Sequence, residues 1–226
     1  MRKRHPGHIK HASNEKFQDT HSIARGFLWQ LWEDFLILDE EMTASMSVCA
    51  HKDSACASLR PLMKLIEISF HGVIWLAGTV TAFLISHRVQ DIEVIVNLLF
   101  ALLFDLIIVG LTKMIFRRSR PLQNRMDMFA TVSVDKFSFP SGHATRAALV
   151  AMFFTRNIVS LPYVPFIILF CTCVGVSRIL LGRHHIIDVL LGYVIGVLEY
   201  VIYSHFWLSG LVLEEWLDDY FGHVHL

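Results

Sequence analysis

The sequence predicts an all-α fold, a polytopic bundle of transmembrane helices, and three observations carry that reading. The 226 residues are 54% hydrophobic with a mean hydropathy of +0.50, more apolar and less charged than a soluble domain of this size. Five apolar stretches, at about 66–86, 92–112, 144–160, 162–182 and 187–208, each approach the ~20 residues that cross a bilayer. Short loops join most of them, so sequential helices become antiparallel neighbours in one bundle. Lys+Arg and Asp+Glu balance at 20 each, and no net field draws the molecule toward nucleic acid. The bilayer is the expected surrounding partner, and function has to be read from where individual charges sit.

Ahead of the first span the chain divides in two. Residues 1–22 are polar, basic and histidine-rich without apolar periodicity, which reads as a disordered tail. No apolar core or small-residue cleavage site follows the basic start, so a removable signal peptide is not expected. His5, His8 and His11 recur every three residues, but nothing nearby completes a ligand set, and a solvated tail fits better than a metal site. Over 23–46, Phe27, Leu28, Leu31, Trp32, Phe35, Leu36 and Leu38 recur at helical spacing among Glu33, Asp34, Asp39, Glu40 and Glu41. Such a helix suits the membrane interface, with a sixth span as the alternative. Residues 23–58 are therefore an interfacial helix and linker, 59–208 the membrane domain, and 209–226 an acidic amphipathic tail. Cys49, Cys56, Cys171 and Cys173 match neither a disulfide framework nor a zinc spacing and read as soft packing residues.

Three charged constellations interrupt the apolar pattern. Lys113-Met-Ile-Phe-Arg-Arg-Ser-Arg120-Pro121 closes the second stretch. If the helix runs to the proline, Lys113 and Arg120 share one face about 10 Å apart along the axis, and Pro121 limits the helix. An ammonium beside a guanidinium suits a phosphoryl group, although membrane-flanking cations would look the same. Pro140-Ser141-Gly142-His143 opens the third stretch. Proline and serine are ordinary helix-start residues, yet the glycine allows close approach, the serine offers a hydroxyl, and free N–H groups make a phosphate seat beside a histidine. Ser177-Arg178 and, further on, His184-His185-Ile-Ile-Asp188 join the last two stretches. Were His184 and Asp188 on one helix, the carboxylate would hold one ring nitrogen and leave the other more basic. A surface His–Asp pair is the plainer alternative, and a metal is disfavoured by the neighbouring arginines. Asp105 and Arg146 are further charges inside the apolar stretches, candidates for a supporting ion pair.

Lys113-x6-Arg120-Pro121, Pro140-Ser141-Gly142-His143 and Ser177-Arg178-x5-His184-x3-Asp188 resemble, complete and in order, the three signatures of the type-2 phosphatidate phosphatase superfamily. The resemblance covers about 60–208, and residues 60–67 and 126–147 look closest to the polyisoprenoid diphosphate phosphatase branch. It implies a metal-free, cofactor-free phosphatase acting on a lipid phosphate or diphosphate, in the endoplasmic reticulum and nuclear envelope. His184 would attack phosphorus, Asp188 would hold its ring, and His143 would protonate the departing oxygen and then activate water. Lys113, Arg120, Ser141, Gly142 and Arg178 would bind the phosphoryl oxygens. An inactive scaffold would not need both histidines and every basic signature residue, and a vanadate-dependent oxidant would not need five apolar spans.

Parity places the basic end of the second span and the start of the last span on one side of the membrane. With a cytoplasmic N-terminus and an interfacial first helix, that side is cytoplasmic. A glycosylation acceptor engineered near Met126 is expected to stay unmodified in endoplasmic reticulum membranes; its modification would mean that 23–46 crosses.

Overall fold

The computed structural model describes residues 7–125, 127 and 136–221, and among them every regular element is helical. In chain order these are α1 (Gly7–Met46), α2 (Arg60–Ser69), α3 (Gly72–Ile85), α4 (Val89–Phe116), α5 (Gly142–Asn157), α6 (Val164–Leu180), α7 (Ile186–Tyr203) and α8 (Gly210–Phe221). His5, the side chains of His8 and His11, and most of 126–135 lie outside the described residues.

Proline and glycine set several of these boundaries. Pro61 and Pro165 sit in the first turns of α2 and α6, where a missing N–H costs nothing. Gly182, at φ +66°, ends α6: its N–H donates to Ile179 O at 2.8 Å and the Arg183 N–H to Arg178 O at 2.9 Å. That pair of bonds is a Schellman cap, which favours glycine. The segment expected to be a disordered tail is helical from Gly7, because no proline or glycine interrupts 8–25 once Pro6 is passed. Residues up to Glu41 and residues from Met42 onward form two compact units. Within the first, Trp29 Nε1 donates to Glu33 at 2.8 Å and Trp32 stacks on Phe35 at 5.7 Å.

The five expected spans resolve differently. α4, Leu161–Leu180 and Ile186–Phe206 are long and apolar enough to cross a bilayer, with mean hydropathies of 2.7, 1.9 and 1.9. The stretch 66–86 is broken: Ala57–Ser69 and Gly72–Ile85 meet at 47° and together make a fourth candidate. The break falls at His71, whose ring caps α3 by accepting from Val73 N at 3.3 Å. The helix over 144–160 is shorter than a span, 16 residues with Arg146 and Arg156 inside it. It packs against α4, α6 and α7, with Leu149 and Phe153 fully buried, so neighbouring helices cover much of it.

α5 and α7 approach closely because small residues face each other. A Cβ on Gly196 would lie 2.0 Å from Thr145 O, and one on Gly192 would lie 3.1 Å from both Ala144 Cβ and Ser141 O. Glycines four apart against Ala144 and Ala148 make the small-residue contact that brings membrane helices together. At the other end of α7, Asn97 of α4 donates to Leu208 O at 2.8 Å and accepts from Leu208 N at 3.0 Å and from Tyr203 Oη at 2.9 Å. One turn earlier, Glu93 accepts from Trp207 Nε1 at 2.6 Å and Gly210 N at 3.0 Å. Those carboxylate and amide groups anchor the turn into α8. The C-terminal ends of α4 and α6 and the N-terminal ends of α5 and α7 therefore share the opposite end of the bundle.

Gly196→Val forces α5 and α7 apart and is expected to lower stability by about 1–3 kcal/mol, the cost of overpacking. Gly78→Ala is its control, since nothing lies within 4 Å of that added Cβ. Thermal unfolding in detergent, with Gly78→Ala at or above the parent and Gly196→Val well below it, checks the contact.

Candidate active site

Lys113 is buried in the last turn of α4. The helix does not run on to Pro121 as expected. It ends at Phe116, where Arg117 takes the left-handed conformation at φ +47° and its N–H donates to Lys113 O at 3.0 Å. A side chain is rarely tolerated there, and the reversal turns residues 118–121 back across the site. Arg118 Nη1 pairs with Asp188 at 2.6 Å, and Arg120 Nη1 donates to Arg183 O at 2.9 Å. Lys113 and Arg120 thus share no helix face, yet both act electrostatically on His184.

Ser141 is the N-cap of α5 and is tied to α7 by its own N–H, which donates to Asp188 O at 3.1 Å. Its hydroxyl caps nothing: Ser141 Oγ is buried without a hydrogen-bond partner among the described residues, and so is His143 Nε2. Gly142 lies between them, a Cβ there coming 3.3 Å from Val109 Cγ1. A buried hydroxyl and ring nitrogen without partners are costly unless something fills the space they face. At a helix N-terminus that something is well matched by an anion.

Arg178 is in the last turn of α6, buried, with Nη1 2.6 Å from Glu67 Oε1. The glycine-capped turn then delivers Arg183 and His184, both buried. Arg183 Nη2 reaches Asp127 at 2.7 Å and Glu67 Oε2 at 3.5 Å. The start of the second unit supports this turn, with Cys49 N donating to Leu180 O at 2.9 Å and Thr43 Oγ1 accepting from Ile186 N at 3.1 Å.

The expected hydrogen bond between Asp188 and His184 is not formed. α7 begins at Ile186, so His184 precedes the helix and cannot use the four-residue spacing. His185 is the N-cap and Asp188 the third helical residue of a capping box, the His185 side chain facing the Asp188 N–H while the carboxylate accepts from His185 N at 2.9 Å; His185 Nδ1 lies 3.0 Å from the same carboxylate. Asp188 also accepts a short hydrogen bond from Ser138 Oγ, besides its ion pair with Arg118. His184 Nδ1 instead donates to Ser138 O at 2.7 Å. Ser138 therefore links the two: Asp188 holds its hydroxyl, and its carbonyl holds the His184 ring. A carbonyl acceptor keeps the hydrogen on Nδ1 and leaves Nε2 with its lone pair. Burial first, then the charges of Arg120, Arg178, Lys113 and His143, hold the His184 ring well below the ordinary histidine pKa, which favours the neutral ring.

Lys113, Arg120, His143, Arg178 and His184 thus interact electrostatically at one end of the bundle, Ser141 and Gly142 open α5 beside His143, and Asp188 contributes through Ser138. The candidate Asp105–Arg146 pair is formed at 2.7 Å, with Thr145 Oγ1 also on Asp105 at 2.7 Å. Glu67, Arg118, Ser138, Arg183 and Asp127 escape a reading by spacing, because each finds its partner on a distant element. Arg60 and Lys64 reach Asp127 at 2.9 and 3.0 Å, so the 60–67 and 126–147 stretches, singled out by resemblance, hold several members of this outer ring. At Asp127 burial alone would raise the carboxyl pKa, but hydrogen bonds from Lys64, Arg60 and Arg183 hold it well below the usual carboxylate range.

The geometry defines a class: a membrane-embedded helical bundle with two histidines inside a buried basic cluster at one end. Residues 94–209 match the family model of the PAP2 superfamily, and the chain belongs to that superfamily. It is 37% identical over 144 aligned positions to a probable lipid phosphate phosphatase beta of Arabidopsis thaliana, covering 52% of this chain and 67% of the relative. The crystal structure of Aquifex aeolicus LpxE shares the fold at a TM-score of 0.55 and 20% identity, over 73% of this chain and 93% of that one. A transmembrane PAP2-type phosphatidylglycerolphosphate phosphatase from Bacillus subtilis does so at 0.51 and 24%, over 76% and 86%.

Glu67→Ala removes a buried carboxylate from Arg178 and Arg183 and is expected to cost about 3–5 kcal/mol, whereas Asp127→Ala, at a half-exposed site, should cost about 1 kcal/mol or less. Because its folded pKa is depressed, the Asp127 contribution is present above the unfolded carboxylate pKa of about 4 and is lost as pH falls below it. Denaturant titrations at neutral and acid pH check both: Asp127→Asn should differ from the parent at neutral pH and converge on it in acid.

Proposed function

We propose that this protein is a lipid phosphate phosphatase working through a phosphohistidine. The observation that carries the reading is the His184 ring held by Ser138 O at 2.7 Å through Nδ1, its other nitrogen left as a lone pair among Lys113, Arg120 and Arg178. Nε2 of His184 attacks phosphorus, the bond to the leaving oxygen breaks, and His143 supplies the proton that oxygen takes. Water then attacks the phosphohistidine with His143 as base, and phosphate and free His184 are released. Lys113, Arg120, Arg178, Ser141 Oγ and the N–H groups at Gly142 bind the three phosphoryl oxygens, whose charge is highest in the transition state. Asp188 positions Ser138 and through it His184, rather than touching the reacting ring. With cations supplied by side chains, the chemistry asks for no metal ion.

The resemblance at 60–67 and 126–147 supports polyisoprenoid diphosphates, such as the farnesyl, geranylgeranyl and presqualene compounds, as the preferred substrates. It likewise supports the endoplasmic reticulum and nuclear envelope as the location. Phosphate release by the purified protein, with a chelator present, should be faster from these diphosphates than from phosphatidate or sphingosine phosphate. Equal or reversed kcat/KM values would remove the isoprenoid preference and leave a broader phosphatase. His184→Ala should lose both turnover and any acid-labile phosphoenzyme. His143→Ala should fall by about 10²–10⁴ while still forming that intermediate from a substrate with a good leaving group. Parent-like turnover in His184→Ala, or trapped phosphate on His143, would reverse the assignment.

A further inference from the structure

One buried acid takes no part in the chemistry derived above. Glu199 lies in the apolar run of α7 and is buried, and no group among the described residues donates to either of its oxygens. It follows Gly192 by seven residues and Gly196 by three, so it shares the face that packs on α5. There Thr145, whose carbonyl oxygen would lie 2.0 Å from a Cβ on Gly196, donates through Oγ1 to Asp105 Oδ1 at 2.7 Å. Arg146 Nη2 pairs with Asp105 Oδ2, also at 2.7 Å. The Glu199 side chain meets Asp105 in a hydrogen bond, and Arg146 is the cation that acts on it.

A hydrogen bond between two carboxyl groups needs a proton, since two carboxylates offer acceptors alone. One guanidinium cannot balance two buried negative charges, and an unpaired carboxylate among apolar helices is too costly to keep. Asp105 accepts from Thr145 through one oxygen and from Arg146 through the other, which marks it as the ionised partner. Glu199 therefore carries the proton and donates it to Asp105. Three helices, α4, α5 and α7, so meet at one carboxylate.

The pairing reaches the site through Arg146. Its Nη1 donates to Phe70 O at 3.2 Å, and its guanidinium lies beside Gly72, where an added Cβ would come 3.2 Å from Cζ. Phe70 and Gly72 flank His71, whose ring stands edge to face with the His143 ring, centroids 6.0 Å apart. We propose that Glu199 is a positioning residue for His143: as a neutral acid it holds Asp105, which holds Arg146 and with it the wall on which the His143 ring rests. This rests on the phosphatase reading above, in which His143 protonates the leaving oxygen. An ionised glutamate at this place would compete with Asp105 and Phe70 O for the Arg146 guanidinium and loosen that wall.

The test uses the full chain in detergent micelles. Glu199→Gln keeps a donor for Asp105, whereas Glu199→Met keeps the length of the side chain and removes the donor. On a lipid monophosphate, Glu199→Met should lose about tenfold or more in kcat, the scale of a lost hydrogen bond to a charged group, with KM changed by about twofold or less. On p-nitrophenyl phosphate, whose leaving group departs without a proton, the same variant should lose about twofold or less. Glu199→Gln should stay within about twofold of the parent on both. Equal losses by Glu199→Met on both substrates would mean that Glu199 only supports the fold, and a glutamine variant no better than the methionine one would mean that donation is not its role; either overturns the proposal. Infrared difference spectroscopy of the parent against Glu199→Gln needs no turnover and no folded Glu199→Met. The C=O band of a protonated carboxyl group should be lost; loss of carboxylate bands instead would place a charge on Glu199 and overturn the proposal. A parent inactive on both substrates that keeps the protonated-carboxyl band would sink the phosphatase reading and spare the pairing of Glu199 with Asp105.

Discussion

Positive charge gathered in a place where water is scarce is the constraint on which the rest of this structure depends. Lys113, Arg178 and Arg183 are buried at one end of the bundle beside two histidines, and guanidinium groups so placed must be paired. Three elements of the surroundings answer with one carboxylate each: Glu67 from α2 for Arg178 and Arg183, Asp127 from the connection after α4 for Arg183, and Asp188 from α7 for Arg118. Each pair fixes how one element docks. Because a buried ion pair broken on one side is far more costly than one never made, these carboxylates set the architecture as firmly as the apolar core does.

The compensation is incomplete by design of the geometry. Beside those ion pairs, Ser141 Oγ and His143 Nε2 are left buried without partners among the described residues. The close contact of Gly196 with Thr145 keeps α5 and α7 near enough for Ser141 N to reach Asp188 O, so a packing feature one or two turns deep governs the start of α5.

The way His184 is held follows from the same constraint. A carboxylate on its ring would raise its basicity but would also place a negative charge next to the site proposed for the phosphoryl group. A backbone carbonyl fixes the same tautomer without that charge. Asp188 retains its influence at one remove, through the Ser138 hydroxyl, and its charge is spent on Arg118 and the helix start. Arg146 works similarly on the other side: anchored by Asp105, it uses its second nitrogen to hold the Phe70 carbonyl and so decides where the break before α3 lies.

The all-helical membrane bundle and the residues of the buried cluster were legible in the sequence, for a physical reason: apolar length reports the bilayer, and charges that interrupt it are too costly to be idle. Lys113, Arg120, Ser141, His143 and His184 stood out by residue type and spacing with plainer alternatives open, the resemblance to the three signatures implied their roles and that of Arg178, and Asp105 and Arg146 were candidates for a pair. Spacing failed where it assumed a continuous helix. Arg117 ends α4 before Arg120, His185 starts α7 after His184, and the first apolar stretch breaks at His71. A helix end depends on caps and on the neighbours that accept them, which lie far away in the chain. The tertiary structure alone therefore decided that Ser138 holds His184, that Glu67 and Asp127 balance the arginines, and that His71 faces His143, since each is a contact between elements whose sequence separation carries no period to read.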